Sequence, residues 1–235
     1  AHWYLQEMIS RHRFSAAAQE KKLLRGNKVD FDWNVKNFVA AFLPSHASLA
    51  LEKNEYHKII HNSDVTKTML GFLKGREWDG IHKPVVTKLN DILYFSTMQH
   101  GLEELLRYCD RNSMAHGREV RLPFLYDEMV KFVFSLPSSL KIKNGFTKYL
   151  LRKSVEHKLP ENIVWRTDKV GYEPPQKLWM EDPHMKDFLY EAKAKLVKED
   201  ILKPQVLAKK TKSQHAHDAD NFDWRYLSVA QMIRK

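Results

Sequence analysis

A single cysteine, Cys109, is all that 235 residues contain. That excludes an internal disulfide framework and any cysteine-based zinc site, and makes a reducing, cytoplasmic setting the expectation. Glycine is scarce as well: the eight glycines, at positions 26, 71, 75, 80, 101, 117, 145 and 171, include no adjacent pair. No glycine-rich loop that wraps a phosphate can be built from this chain alone. Long apolar runs are missing too, since eighteen apolar residues never follow one another. In the opening AHWYLQEMISRHRF the polar His2, Glu7, Arg11 and Arg13 interrupt the apolar residues. This pattern fits neither a signal peptide nor a membrane span.

What is abundant is positive charge. Thirty-nine Lys and Arg against 29 Asp and Glu give +10, which attracts polyanions at low salt without specifying a function. Apolar residues make up 43%, enough for a real core. Their spacing is helical. Trp3, Leu5, Met8, Ile9, Phe14, Ala17 and Ala18, followed by AAAQEKKLL, predict one long helix stopping near Gly26. Val35, Phe38, Val39 and Phe42 predict a second before Pro44, and Asp64 a cap for a third through Val65, Met69, Leu70 and Phe72.

Residues 84–108 read as one or two further helices. Later ones are expected from Asp127, from a Thr147 cap carrying Tyr149 to Val155, from Pro160 and from Trp224 to Ile233. The stretches SLPSSLKIKNGF and RTDKVGYEPPQKLW read as irregular connections, and the Lys-rich 203–224 segment as a mobile loop. No period-2 strand run stands out, so the architecture is predicted to be mainly α, a single helical domain over 1–235.

One stretch resists a bland reading. In DRNSMAHGREVRLPFL, Asp110, Arg111, Arg118, Glu119 and Arg121 crowd against the apolar Leu122-Pro123-Phe124-Leu125. A solvated helix face would space its charges by three or four, and this stretch abandons that period after Met114. The ordered series D-R-x-S-M-A-x-x-x-E-x-R-x-P-F-L, S-L-P, K-I-x-x-G-x-x-K-x-x-L-R, L-P-x-x-I and K-x-G-[FY], over about residues 105–180, closely resembles the C-terminal part of the asparagine synthase domain.

The resemblance implies the helical C-terminal half of an α/β ATP-pyrophosphatase synthetase domain, with the sheet-bearing half absent. It implies an ATP- and Mg2+-dependent ligase that converts the aspartate side chain to an acyl-adenylate, releases pyrophosphate and transfers glutamine-derived ammonia. Cations placed where charge builds on departing pyrophosphate lower such a barrier; one lost donor costs about 10²–10³ in rate. By position in the family motifs, Lys169 is the expected catalytic residue and Gly171 lets its loop approach the ligand. Glu119 and Arg121 border the cleft, with the Glu119 carboxylate expected between Arg118, Arg121 and Arg111. Lys148 and Arg152, four apart, present two charges to the same cleft. Asp110 and Arg111 cap and orient their motif, and Asp127, displaced by Tyr126 from the usual place after P-F-L, takes over helix capping.

The same resemblance exposes gaps. Neither the S-G-G-x-D-S loop nor the G-x-x-D-E magnesium segment is here, and Cys109 is internal, so the glutaminase domain with its N-terminal cysteine is absent. The expectation is therefore a piece of a larger synthetase, inactive alone and binding neither ATP nor Mg2+ tightly. Its partners would be the missing nucleotide-binding half and the glutaminase domain, with a homodimer also open. Two other readings stand beside it: a related enzyme adenylating another carboxylate, such as a β-lactam synthetase or a peptide-modifying amidotransferase, and a basic helical nucleic-acid or protein-binding module. The latter lacks a helix-turn-helix spacing or base-stacking motif. The His215, His217, Asp218, Asp220 cluster reads as a polar loop and not as a metal site.

Overall fold

The computed structural model describes residues 1–72, 84–168, 173–216, 218 and 220–233. In chain order its helices are α1 (His2–Ser10), α2 (Phe14–Gly26), α3 (Val35–Phe42), α4 (Pro44–Ile60), α5 (Lys67–Gly71), α6 (Leu89–Tyr94) and α7 (Leu102–Met114). There follow α8 (Asp127–Ser135), α9 (Ser138–Lys141), a hairpin of β1 (Ile142–Lys143) and β2 (Phe146–Thr147), α10 (Tyr149–Val155) and α11 (Glu161–Val164). Last come α12 (Gln176–Glu181), α13 (Pro183–Lys198) and α14 (Phe222–Met232). A π-helical turn, Phe95–Gln99, continues α6, and 3-10 turns occupy Pro123–Leu125 and Pro204–Ala208.

The mainly helical expectation holds; several details do not. The long first helix is two, because His12 adopts φ 58 and returns the Arg13 N–H to the Met8 carbonyl at 2.9 Å. A histidine thus supplies the left-handed helix stop usually given to glycine. Breaking there lets Leu5, Met8 and Ile9 of α1 pack with Ala17 and Leu24 of α2. Pro44, expected only to follow a helix, also opens α4, where its missing N–H costs nothing.

Contacts gather into two compact units, residues 1–54 with 80–169, and residues 55–79 with 170–235. In the first, Tyr4, Leu5, Met8, Ile9, Ala17, Leu24, Leu89 and Ile142 form one core. The buried Glu7 carboxylate serves three partners around it: the Leu89 N–H at 2.9 Å, the Ser138 hydroxyl at 2.6 Å and the Arg11 guanidinium at 2.9 Å. One side chain therefore satisfies the first N–H of α6 and anchors α9.

In the second unit, Ala192, Leu196, Leu202, Val206, Tyr226 and Ala230 build a core around α13 and α14. Lys193, 2% exposed, is neutralised there by Asp223, and the Lys195 ammonium donates to the Ala230 and Ile233 carbonyls at 2.7 and 2.8 Å. Val206 shows that the Lys-rich segment is not wholly a loop: its 3-10 turn is part of this core.

Asp64 does not cap α5; Thr66 does, accepting from the Met69 N–H at 3.2 Å. Asp64 is instead buried, accepting hydrogen bonds from Tyr226 at 2.9 Å, from Ser63 at 3.1 Å and from Lys209. Burial opposes its ionisation, but these hydrogen bonds outweigh burial and hold the carboxyl below its usual range. Burial first, and then the Asp64 bond, pushes the Tyr226 phenol above its ordinary value. Among the described residues no buried side-chain nitrogen or oxygen lacks a hydrogen-bond partner.

Candidate functional site

The K-I-x-x-G-x-x-K-x-x-L-R series becomes architecture residue by residue. Lys141 donates to the Leu136 carbonyl at 2.8 Å and to Asn90, and Ile142 enters the first core. Asn144 at φ 54 and Gly145 at φ 76 make a two-residue turn, with Lys143 paired to Phe146. Two successive positive φ values are what a primed hairpin turn needs, and Asn-Gly is the dipeptide that accepts them. The stretch expected to be irregular is therefore a short antiparallel ribbon.

This turn is docked on α2. The buried Glu20 carboxylate accepts the Gly145 N–H at 2.8 Å, and the Asn27 amide donates to the Gly145 carbonyl at 3.0 Å. A Cβ at 145 would lie 2.6 Å from the Leu23 backbone, so only glycine fits against the helix.

Beyond the ribbon, Lys148 is left-handed, φ 56, and precedes α10, so Thr147 belongs to β2 and caps nothing. Lys148 consequently does not share a helix face with Arg152. The Arg152 guanidinium turns to the main chain, donating to the carbonyls of Thr147 at 2.9 Å, Val164, and Arg166 at 3.1 Å, while it lies 5.3 Å from the Phe146 ring centroid. Burial lowers its pKa. Trp165 is held beside it: Phe146 meets its ring edge-on at 4.9 Å between centroids, Tyr149 lies at 6.2 Å and the Lys153 ammonium at 5.8 Å.

An open cleft of about 630 Å³ lies here, lined by Glu161, Asn162, Trp165, Arg166, Thr167 and Asp168. Arg166 and Asp168 join in a fork, Nε to Oδ1 at 3.2 Å and Nη2 to Oδ2 at 2.7 Å. Their hydrogen bond, and then their mutual charge, raises the Arg166 pKa; the same bond lowers that of Asp168. Asp168 takes Nε and one Nη of Arg166, which leaves the other Nη of that guanidinium to an anion in the cleft. Lys169 and Gly171, expected next along the chain, lie outside the described residues.

The 110–125 motif has a different setting. Asp110 and Arg111 sit in the last turns of α7, where their carbonyls, not their side chains, hold local structure: Asp110 accepts from the Ser113 hydroxyl and Arg111 from the Ala115 N–H. The chain leaves through Gly117, φ 60, with the Arg118 N–H returned to Ser113 at 2.9 Å. Among the described residues Glu119 pairs with Arg121 alone, at 2.9 Å and in solvent, so the expected cage of three arginines is not formed. Among the described residues no hydrogen bond or ion pair joins Glu119 or Arg121 to the Arg152 cluster. Asp127 is the first residue of α8, not its cap, and pairs with Lys131 at 2.7 Å.

His215 and Asp218 share a local turn bond, the His215 N–H donating to Asp218 at 2.8 Å, while Asp220 accepts from Gln214 at 2.8 Å. Their neighbour His217 is outside the described residues. Among the described residues no three His, Cys, Asp or Glu gather in a way that holds a metal ion, and no helix is long and apolar enough to cross a membrane.

Comparison with known proteins decides the lineage. The asparagine synthase family profile matches residues 1–234. The chain belongs to the asparagine synthase family. It is 32% identical over 127 residues to asparagine synthetase [glutamine-hydrolyzing] 1 of Bacillus subtilis, covering 54% of this chain and 18% of that protein. The asparagine synthetase [glutamine-hydrolyzing] of Gallus gallus is 43% identical over 84 residues, 33% of this chain and 15% of its own. That of Homo sapiens is 43% identical over 68 residues, 28% and 12%. The chain thus matches less than a fifth of the length of these curated relatives. No solved structure matches it.

Asn144-Gly145 was the available signal for the ribbon. Glu20, Asn27 and Trp165 carried no signal of their own, because each acts through a partner distant in sequence.

Proposed function

We propose that this chain is the helical C-terminal part of an asparagine synthase domain whose full-length protein adenylates the aspartate side chain with ATP and passes ammonia from glutamine to the acyl-adenylate. The observation that carries the reading is the family match over residues 1–234, joined to the motif series that the Arg152 cluster organises. The relatives named above are glutamine-hydrolysing asparagine synthetases, which sets the expected substrates. ATP and Mg2+ belong to the full-length protein, and the chain by itself is expected to be inactive.

The unfilled surface supports incompleteness. In α7, the Pro123–Leu125 turn and α8 no residue is buried, while Leu105, Tyr108, Phe124 and Phe132 are exposed. Large apolar side chains left in water along one stretch of chain suit a surface that another part of a protein covers. The nucleotide-binding half of the same polypeptide is the expected partner for that surface, with the glutaminase domain and a second copy as further partners.

The test is pyrophosphate release by the full-length protein from ATP and aspartate with Mg2+. Activity that falls about 10²–10³-fold in Lys169→Ala supports adenylation with Lys169 as the cation on the phosphates. Adenylation of a different carboxylate in place of aspartate would move the protein to a β-lactam synthetase-like chemistry. No pyrophosphate release with any carboxylate would overturn the reading.

A further inference from the structure

The family motif makes Arg152 look like a charge offered to a ligand, but its guanidinium is already occupied. It takes one carbonyl from the end of β2, Thr147, and two from the segment leaving α11, Val164 and Arg166. These lie 5, 12 and 14 residues away, so one side chain ties together stretches that no regular hydrogen-bond ladder connects. Arginine suits this task for a physical reason: five N–H donors on a rigid planar fork reach several carbonyls at once, which a lysine ammonium cannot do in the same geometry.

We propose that Arg152 is a positioning residue: by holding the Val164 and Arg166 carbonyls it fixes the backbone of residues 164–168 and aims the Arg166 guanidinium along the open cleft. The inference rests on the synthetase reading above. Two further contacts reinforce the hold. Trp165 is clamped by Phe146, Tyr149 and Lys153, and the Arg166 side chain is forked to Asp168. With its carbonyl held by Arg152 and its side chain by Asp168, Arg166 retains little freedom. Pre-set geometry of this kind is what a phosphoryl-handling site requires, because misplacement by about 1 Å can cost about 10²-fold in rate.

The experiment compares Arg152→Gln, Arg152→Lys and Glu20→Ala in the full-length protein. Glu20→Ala loosens the same ribbon from its α2 side while leaving the Arg152 donors to the Val164 and Arg166 carbonyls in place. Amide hydrogen exchange at 164–168 and steady-state pyrophosphate release are both read. Arg152→Gln should speed exchange at 164–168 and lower kcat by about 10²-fold, with the KM for ATP little changed. Arg152→Lys should recover little of that kcat, while Glu20→Ala lowers the thermal midpoint and leaves kcat near wild type. Equal kcat loss in Glu20→Ala at equal loss of thermal midpoint would reduce Arg152 to a general structural role and overturn the proposal. Unchanged exchange in Arg152→Gln would overturn it directly. If the wild-type protein releases no pyrophosphate, the synthetase reading fails, and the exchange at 164–168 alone decides for or against Arg152.

Discussion

Two parts of the first unit, built from the same kinds of residue, have opposite fates. Helices α1 and α2 with the ribbon turn bury Leu5 and Leu24 completely and hold Gly145 so close that a Cβ there would lie 2.6 Å from the Leu23 backbone. The stretch from α7 to α8 is just as amphipathic, yet buries nothing: Leu105 is 65% exposed and Phe124 67%. The difference teaches that a hydrophobic pattern specifies a face, while burial needs a second surface to meet it. In α1 that surface is supplied within the chain by α2 and α3; for α7 and α8 the described residues give partial cover, such as Tyr94 and Lys141 against Phe134, and no residue of either helix is buried.

The sharpest way to break this comparison is truncation. Leu5→Ala or Leu24→Ala should cost about 2–5 kcal/mol, whereas Leu105→Ala should stay within about 0.5 kcal/mol, by urea unfolding of this chain. A comparable loss at Leu105 would mean that α7 is covered in solution. A second contrast uses two left-handed glycines. Gly145→Ala combines backbone strain with collision against Leu23 and should cost at least about 2 kcal/mol. Gly117→Ala, at φ +60 with nothing within 4 Å, should cost about 1–2 kcal/mol for the backbone alone.

The second core extends the contrast to acid. Asp64 has its pKa lowered on folding, so its contribution is present above the unfolded carboxylate value, near 3.9, and is lost as pH falls through the lower folded value. Asp64→Asn should destabilise at neutral pH by about 1–3 kcal/mol and lose that acid-limb dependence. Measuring unfolding from pH 7 downward checks the sign: a variant whose stability falls with acid as steeply as wild type would remove Asp64 from the explanation. The smallest effect belongs to the bare stretch. Lys131→Ala, which deletes the exposed pair with Asp127, should move stability by no more than about 0.5 kcal/mol.

What was legible in the sequence divides along the same line. Helical periodicity located most helices, because each amphipathic face is a local property, but it passed over α4 and α13, the two longest among the described residues. Their ends were less legible. His12 stops α1 in a conformation that no residue type other than glycine or asparagine advertises, and Thr66, not the more acidic Asp64, proved to be the cap because Asp64 was claimed by Tyr226 and Lys209. Asn144-Gly145 did advertise its turn, yet the strands it joins are two residues long and show too little alternation to register. At the candidate site, motif spacing found Arg152 but mistook its direction. Counting four residues from Lys148 assumes both are helical, and the left-handed backbone at Lys148 breaks that count.

The docking of the ribbon on α2 also sets a timetable. Asn27 and Gly145 are 118 residues apart. At about 5–20 residues per second of synthesis, roughly 6–24 s separate their appearance from the ribosome. The α2 face that receives the turn is made early and filled late, so the nascent α1–α2 pair must wait, with Glu20 still facing water, for the second half of its own binding site. Ribosome-stalled chains of increasing length should therefore show α2 gaining full protease resistance only after residue 145 has emerged, which makes the order of synthesis itself part of how this fold is assembled.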